Sequence, residues 1–297
     1  MEKLSTKRWR FDAFPYLMSL PALIGIGLIC FYPMFQGIYL SFTNTKLTSP
    51  NVMRFVGMAN FKKLAVDSQF WNSFYFTIVY TLVSTLFAYL LGLAVALMMN
   101  RELKIKNVIR ALLLLPWVVP AVVGTTAWQW ILNDQSGVIN IFLRNVGIIK
   151  SPILFLANPD YAVITVIAFC VWKTFPFMAI TILASLQGIS GDINEAALMD
   201  GTNLFQKFYY ITLPMIKRES ILAIMLMIMW NFNRMDYIYL MTQGGPVSST
   251  RVSAIYAYFT AFFRGSLGSA STISVSMMLV MTAFLFVYFK MRKEGND

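Results

Sequence analysis

Residues 189–214 read Ile-Ser-Gly-Asp-Ile-Asn-Glu-Ala-Ala-Leu-Met-Asp-Gly-Thr-Asn-Leu-Phe-Gln-Lys-Phe-Tyr-Tyr-Ile-Thr-Leu-Pro, a polar interval between two long apolar runs. Asp192, followed three residues later by Glu195, has the spacing of a capping box and predicts the start of a short helix. Ala196, Ala197, Leu198 and Met199 continue that helix, and Gly201 supplies a left-handed stop. Phe205, Phe208 and Tyr209, at i, i+3 and i+4, predict a second helix with one aromatic face. Pro214 then falls where a further helix begins, a place where its missing N–H is tolerated. The expectation for residues 189–215 is two helices meeting at a sharp angle along a membrane surface. A short helix with Ala side chains is a narrow knob that a groove in another protein can accept, and Glu195 and Asp200 offer charge to a basic partner. The same pattern also describes an amphipathic linker lying at a lipid interface.

Outside this interval the chain is overwhelmingly apolar. Of its 297 residues, 58% are hydrophobic and only 12% charged, with a mean hydropathy of +0.64. Soluble domains carry about 25% charged residues, and a soluble fold of this length could not hide so much apolar surface. The composition leaves an all-α polytopic membrane protein. A crossing helix needs about 20 apolar residues, and six stretches qualify: 13–43, 72–99, 110–133, 161–187, 216–242 and 267–289. The fourth contains only Lys173, and the fifth only Lys217, Arg218, Glu219, Arg234 and Asp236. Short alternating β-barrel strands are not the pattern seen. Six bundled helices predict a single domain over 1–297. Small residues (Gly25 and Gly27; Gly92, Ala94 and Ala96) are placed to let helices approach closely.

The net charge is +11. The basic residues form no stripe and no aromatic-interleaved platform, so nucleic acid is not the expected partner. They instead sort by loop. Fourteen fall in segments 1–12, 101–110, 189–219 and 290–297, and eight in the longer intervening loops. The positive-inside rule then places both termini and residues 189–219 in the cytoplasm. The first apolar run is much longer than a 7–15 residue signal-peptide core, so it reads as an anchor. There is no His, and Cys30 and Cys170 are far apart within apolar runs, which disfavours His-based chemistry, a disulfide framework and a thiolate metal site.

The spacing Glu195-Ala196-Ala197, three residues, Gly201, nine residues, Ile211, one residue, Leu213-Pro214 closely resembles the signature loop of binding-protein-dependent, type I ABC importer permeases. The Asp200-Gly201 pair is similar to the carbohydrate-uptake branch. Other stretches carry the resemblance along nearly the whole chain: Tyr-Leu-Met-Ser-Leu-Pro-Ala-Leu at 16–23, Phe31-Tyr32-Pro33, Leu40-Ser41-Phe42-Thr43, Phe55-Val56-Gly57, Asn60-Phe61, Asn231-Phe232-Asn233 and Thr242-Gln243-Gly244-Gly245-Pro246. The last of these resembles the "first permease" of the maltose and glycerol-3-phosphate type. The extra amino-terminal spans and large periplasmic insertion of one maltose-type member have no counterpart in this sequence.

The resemblance implies a bacterial inner-membrane subunit paired with a second, homologous permease. It also implies two cytoplasmic ATPase subunits that bind ATP and Mg, and a periplasmic or lipoprotein solute-binding protein that delivers a saccharide. Glu195, Ala196, Ala197, Asp200 and Gly201 are then the residues that dock on the ATPase and couple its closure to the permease. The chain has no Gly-x-x-x-x-Gly-Lys-Ser/Thr phosphate loop, so no cofactor is expected on it and hydrolysis is expected in the partners.

Charges at membrane depth are costly and mark pathways. Lys173 and Phe177 share a helix face, as do Trp230 and Arg234, so each face joins a ring to a cation. Family resemblance assigns Lys173, Thr174 and Phe177 on one helix, and Trp230, Asn231 and Arg234 on another, to the central sugar site. Two cations against Asp236 point towards an acidic saccharide such as an oligouronide or sugar phosphate. The structural alternative pairs Lys173 with Asp236 and lets Arg234 satisfy a neighbouring helix or snorkel outward. An ion-coupled secondary transporter is the competing function class; it calls for coupling acids within spans and for inverted repeats. Asp236 is the lone acid well inside a span, and the two halves are dissimilar. An intramembrane enzyme would need a His, a paired acid or a metal cluster at depth.

Overall fold

The computed structural model describes residues 14–101 and 105–294. Several basic residues used in the orientation argument (Lys3, Lys7, Arg8, Arg10 and Lys104) lie outside them, as does residue 13 of the first expected span. Four helices are long and apolar enough to cross a bilayer: Leu17–Ser41, Ser68–Met99, Pro159–Gln187 and Leu267–Lys290. These answer to the first, second, fourth and sixth expected spans. Among the described residues the backbone forms isolated β-bridges and no strand.

The other two expected spans are each split between two helices; those of the third are together long and apolar enough to cross, and those of the fifth are not among such helices. The third is a pair of helices, Lys106–Val118 and Ala121–Ile131, bent by 95°. Pro116 and Pro120 remove two N–H donors within five residues, and Pro120 drives Val119 into an extended conformation (φ −54°, ψ 129°). The fifth runs as Lys217–Phe232, breaks at Asn233-Arg234-Met235 and resumes as Asp236–Thr242. There the Asn233 side-chain amide donates to the Met229 carbonyl at 3.1 Å, a local bond that competes with helix continuation.

The described chain falls into two compact units. One compact unit joins the residues up to Val66 with those from Thr260 onward, and the other is Asp67–Phe259. In the first unit the Asn60 amide donates to the carbonyls of Ser41 (2.9 Å) and Thr43 (2.7 Å). Thr272 Oγ1 donates to the Ser41 carbonyl at 3.1 Å. These bonds tie the end of the first span to the last one. Farther back the first span is bare, with Leu17, Leu28 and Ile29 exposed, and Gly25 and Gly27 meet nothing within 4 Å.

The second unit holds the core. Its two long helices start on side-chain caps. Asp67 accepts from the N–H groups of Gln69 and Phe70, and Asn158, ahead of Pro159, accepts from those of Asp160 and Tyr161. One apolar cluster joins Ala88, Ala96 and Met99 to Met178, Ile182, Leu186 and Met227. A second joins Phe76, Tyr80, Val166 and Phe169 to Tyr237, Ile238 and Ile255. Gly92 permits the close approach of the two long helices: a Cβ there would lie 2.5 Å from Met178 Cβ and 2.9 Å from the Ala179 nitrogen. Gly92→Leu is therefore expected to cost about 1–3 kcal/mol or more through overpacking. It should lower the melting temperature of the detergent-purified protein, whereas Gly25→Leu leaves it unchanged. Equal melting of both variants would contradict this packing.

Candidate functional site

Two places in the second unit carry the sequence-derived candidates. The first is the signature interval. A helix runs over Gly191–Met199, and the Asp192 N–H donates to Ser190 Oγ at 3.3 Å. Asp192 is thus the second helical residue rather than the cap, because Ser190 offers a nearer hydroxyl acceptor one residue before the helix. The stop falls as expected: Gly201 is left-handed (φ +69°), and the Thr202 N–H closes back on the Ala197 carbonyl at 3.1 Å, the long bond of a Schellman turn. A second helix starts at Leu204 behind a reciprocal capping box between Asn203 and Gln206, which the sequence reading did not identify. It continues through a π-helical turn, Phe208–Thr212, into Leu213–Met215.

The faces of this loop are unequal. Glu195, Ala196, Met199, Asp200 and Gly201 are exposed, as are the aromatic residues Phe205, Tyr209 and Tyr210. Ala197 is 3% exposed, so it supports the knob from beneath and does not present itself to a partner.

The second place is the corner where the broken third span meets the fourth and fifth. Trp117 stacks on Phe177 with ring centroids 5.3 Å apart and planes at 22°. Trp230 meets Phe177 edge-on at 4.9 Å and Trp117 at 5.9 Å. Beside these rings a groove of about 470 Å³ is lined by Met229, Trp230, Asn233, Arg234, Met235 and Asp236. Arg234 lies 3.9 Å from Asp236 and 4.4 Å above the Tyr237 ring, so its charge is shared by a carboxylate and a π-face.

The six residues expected to face solute therefore separate. Phe177, Trp230 and Arg234 reach this aromatic corner and groove. Thr174 is buried and donates to the Cys170 carbonyl at 2.7 Å. Asn231 is buried too, donating to Thr85 Oγ1 at 3.2 Å and accepting from Cys170 Sγ at 3.5 Å. Lys173 is 4% exposed, and its Nζ donates to the Pro116 carbonyl at 2.6 Å, the Trp117 carbonyl at 3.3 Å and the Val119 carbonyl. It neither pairs with Asp236 nor opens into the groove, because the broken helix offers nearer acceptors. One of the two cations is thus spent on backbone, and the other lines the groove beside Asp236. The sequence reading missed Trp117, although Pro116 and Pro120 flank it and announce the corner that turns its ring inward.

Comparison with known proteins adds a family to this geometry. Residues 88–292 match the profile described as binding-protein-dependent transport system inner membrane component. The trehalose/maltose transport system permease protein MalF of Thermococcus litoralis is 33% identical over 99% of this chain and 98% of its own. The sulfoquinovosyl glycerol transport system permease protein SmoG of Agrobacterium fabrum is 31% identical over 92% and 88% of the two chains. Among solved structures, a bacterial ABC transporter involved in importing the acidic polysaccharide alginate superposes with a TM-score of 0.81, at 22% identity, covering 95% of this chain and 96% of that one.

Proposed function

Since this chain belongs to the family of binding-protein-dependent transport system inner membrane components, we propose that it is one permease of an ATP-driven saccharide importer. In this reading a second permease completes the pathway, and two ATPase subunits carrying ATP and Mg power it. An external solute-binding protein delivers the sugar, and both termini and the signature loop lie in the cytoplasm. The observation that carries the coupling role is the loop itself: a capped helix closed by left-handed Gly201, with Glu195, Ala196 and Asp200 presented outward. Such a knob transmits a rigid-body motion and needs packing rather than a reactive group.

A saccharide is supported from two sides. Relatives more than 30% identical are named for trehalose/maltose and for sulfoquinovosyl glycerol. The groove pairs the exposed ring of Trp230 with the donor Arg234 and the acceptor Asp236. A flat apolar face beside both kinds of hydrogen-bonding group suits a sugar ring and its hydroxyls. With Lys173 turned to backbone, Arg234 is the cation left on the groove to meet a sugar's hydroxyls or an acidic group.

The test is reconstitution in liposomes with the partner permease, ATPases and binding protein. ATP hydrolysis and sugar uptake are expected to rise together when saccharide-loaded binding protein is added outside. Uptake driven by an ion gradient without ATP would overturn the reading.

A further inference from the structure

The three carbonyls beneath Lys173 are free for a reason visible in the sequence. In an α-helix the carbonyl of residue i accepts from the N–H of residue i+4. For Pro116 that donor position is Pro120, which has no N–H. The helix ends at Val118, so the Trp117 and Val119 carbonyls also lie at its open end. Orphan carbonyls at a helix C-terminus carry partial negative charge, and within a bilayer each one left unpaired costs several kcal/mol. An ammonium brings three donors and no acceptor. Lys173 matches this set, donating to all three carbonyls from a buried position on the neighbouring helix.

The same corner carries the aromatic contact. Trp117 supplies one of the three carbonyls, and its indole stacks on Phe177. Phe177 stands one turn beyond Lys173 on the helix Pro159–Gln187. Ammonium and ring thus reach the Pro116–Pro120 corner from one helix face, one holding its backbone and the other its side chain. Without the ammonium no donor among the described residues satisfies the Pro116 carbonyl, and the chain beyond Val118 keeps the constraint of Pro120 but loses the bonds that hold it against the neighbouring helix.

We propose that Lys173 is a positioning residue: by capping the broken third span it sets Trp117 against Phe177 and Trp230. Its importance for transport rests on the reading of this aromatic corner as part of the solute site, but its structural effect can be measured without solute.

Trp117 and Trp230, 5.9 Å apart at 41°, are close enough for their indoles to couple in circular dichroism. The signal to follow, in the assembled transporter in nanodiscs, is the component that both Trp117→Phe and Trp230→Phe remove. Lys173→Met is expected to lose that component, and Lys173→Arg, which keeps donors and charge, to retain most of it. An unchanged component in an assembled Lys173→Met complex would overturn the proposal. Should that variant fail to assemble, Lys173→Gln is read in its place with the same two outcomes.

Uptake supplies a second readout. If Lys173 acts through Trp117, the double variant Lys173→Met/Trp117→Ala transports no more slowly than Trp117→Ala alone. Losses that multiply would mean that Lys173 acts elsewhere. If Trp117→Ala and Trp230→Ala both transport at the parent rate, the solute-site reading fails while the spectroscopic result still decides the role of Lys173.

Discussion

Replacing Gly201 by proline is expected to reduce ATP hydrolysis stimulated by loaded binding protein to its basal rate, while leaving the chain inserted in the membrane. Gly201 sits at φ +69°, whereas a proline ring holds φ near −65°, so the variant cannot form the turn that ends the helix Gly191–Met199. Crowding by a side chain is not the cause, since a Cβ at Gly201 would meet nothing within 4 Å. Gly201→Ala separates conformation from crowding. An L-residue in the left-handed region costs about 1–2 kcal/mol, and each 1.4 kcal/mol is about tenfold in an equilibrium. The alanine variant should therefore weaken the turn's equilibrium by about tenfold and retain more stimulation than the proline variant. Hydrolysis measured in nanodiscs with and without loaded binding protein gives both numbers. Parent-level stimulation in the proline variant would remove the loop from the coupling path.

Trp230→Ala should have the next largest effect, cutting sugar uptake about tenfold or more. Trp230 contacts both Phe177 and Trp117, and aromatic pairs contribute about 0.5–1.5 kcal/mol each, so two lost pairs alone amount to about a factor of ten. Its exposed face on the groove is lost to the solute as well. The signature loop takes no part in these ring contacts and keeps its own caps. Stimulated ATP hydrolysis should consequently stay within about twofold of the parent, an order-of-magnitude expectation for sites that share no partner. Equal uptake by Trp230→Ala and the parent would move the solute elsewhere.

The sequence made the two-helix form of the signature loop legible because its signals are local. A positive-φ glycine after an Ala-rich helix, and apolar runs of bilayer length, act through nearest neighbours and hydration, which spacing records directly. The caps at Asp67 and at Asn158-Pro159 are equally local but were not read from the sequence. The bend in the third span was also written there, as Pro116 and Pro120, yet hydropathy weighs apolar content and not donors, so a charge-free run looked like one straight helix. The surroundings of the residues expected to face solute were the least legible. Whether Lys173 faces a solute or a carbonyl depends on a helix 54 to 57 residues away in sequence, and helix-face arithmetic is blind to what the other helix has left unsatisfied. The same arithmetic did bring Lys173 and Phe177 to one corner, and Trp230 and Arg234 to one groove. The burial of Ala197 could not be read either, because it depends on packing and not on spacing.

That burial decides how the central claim should be tested. A photoreactive side chain at exposed position 196 of the assembled transporter, activated during turnover with ATP, reports what the knob touches. Position 197, buried in the chain, serves as the control. The structure and family together predict a covalent adduct with an ATPase subunit from position 196 and little or none from position 197. Adducts from position 196 with lipid alone would contradict the account.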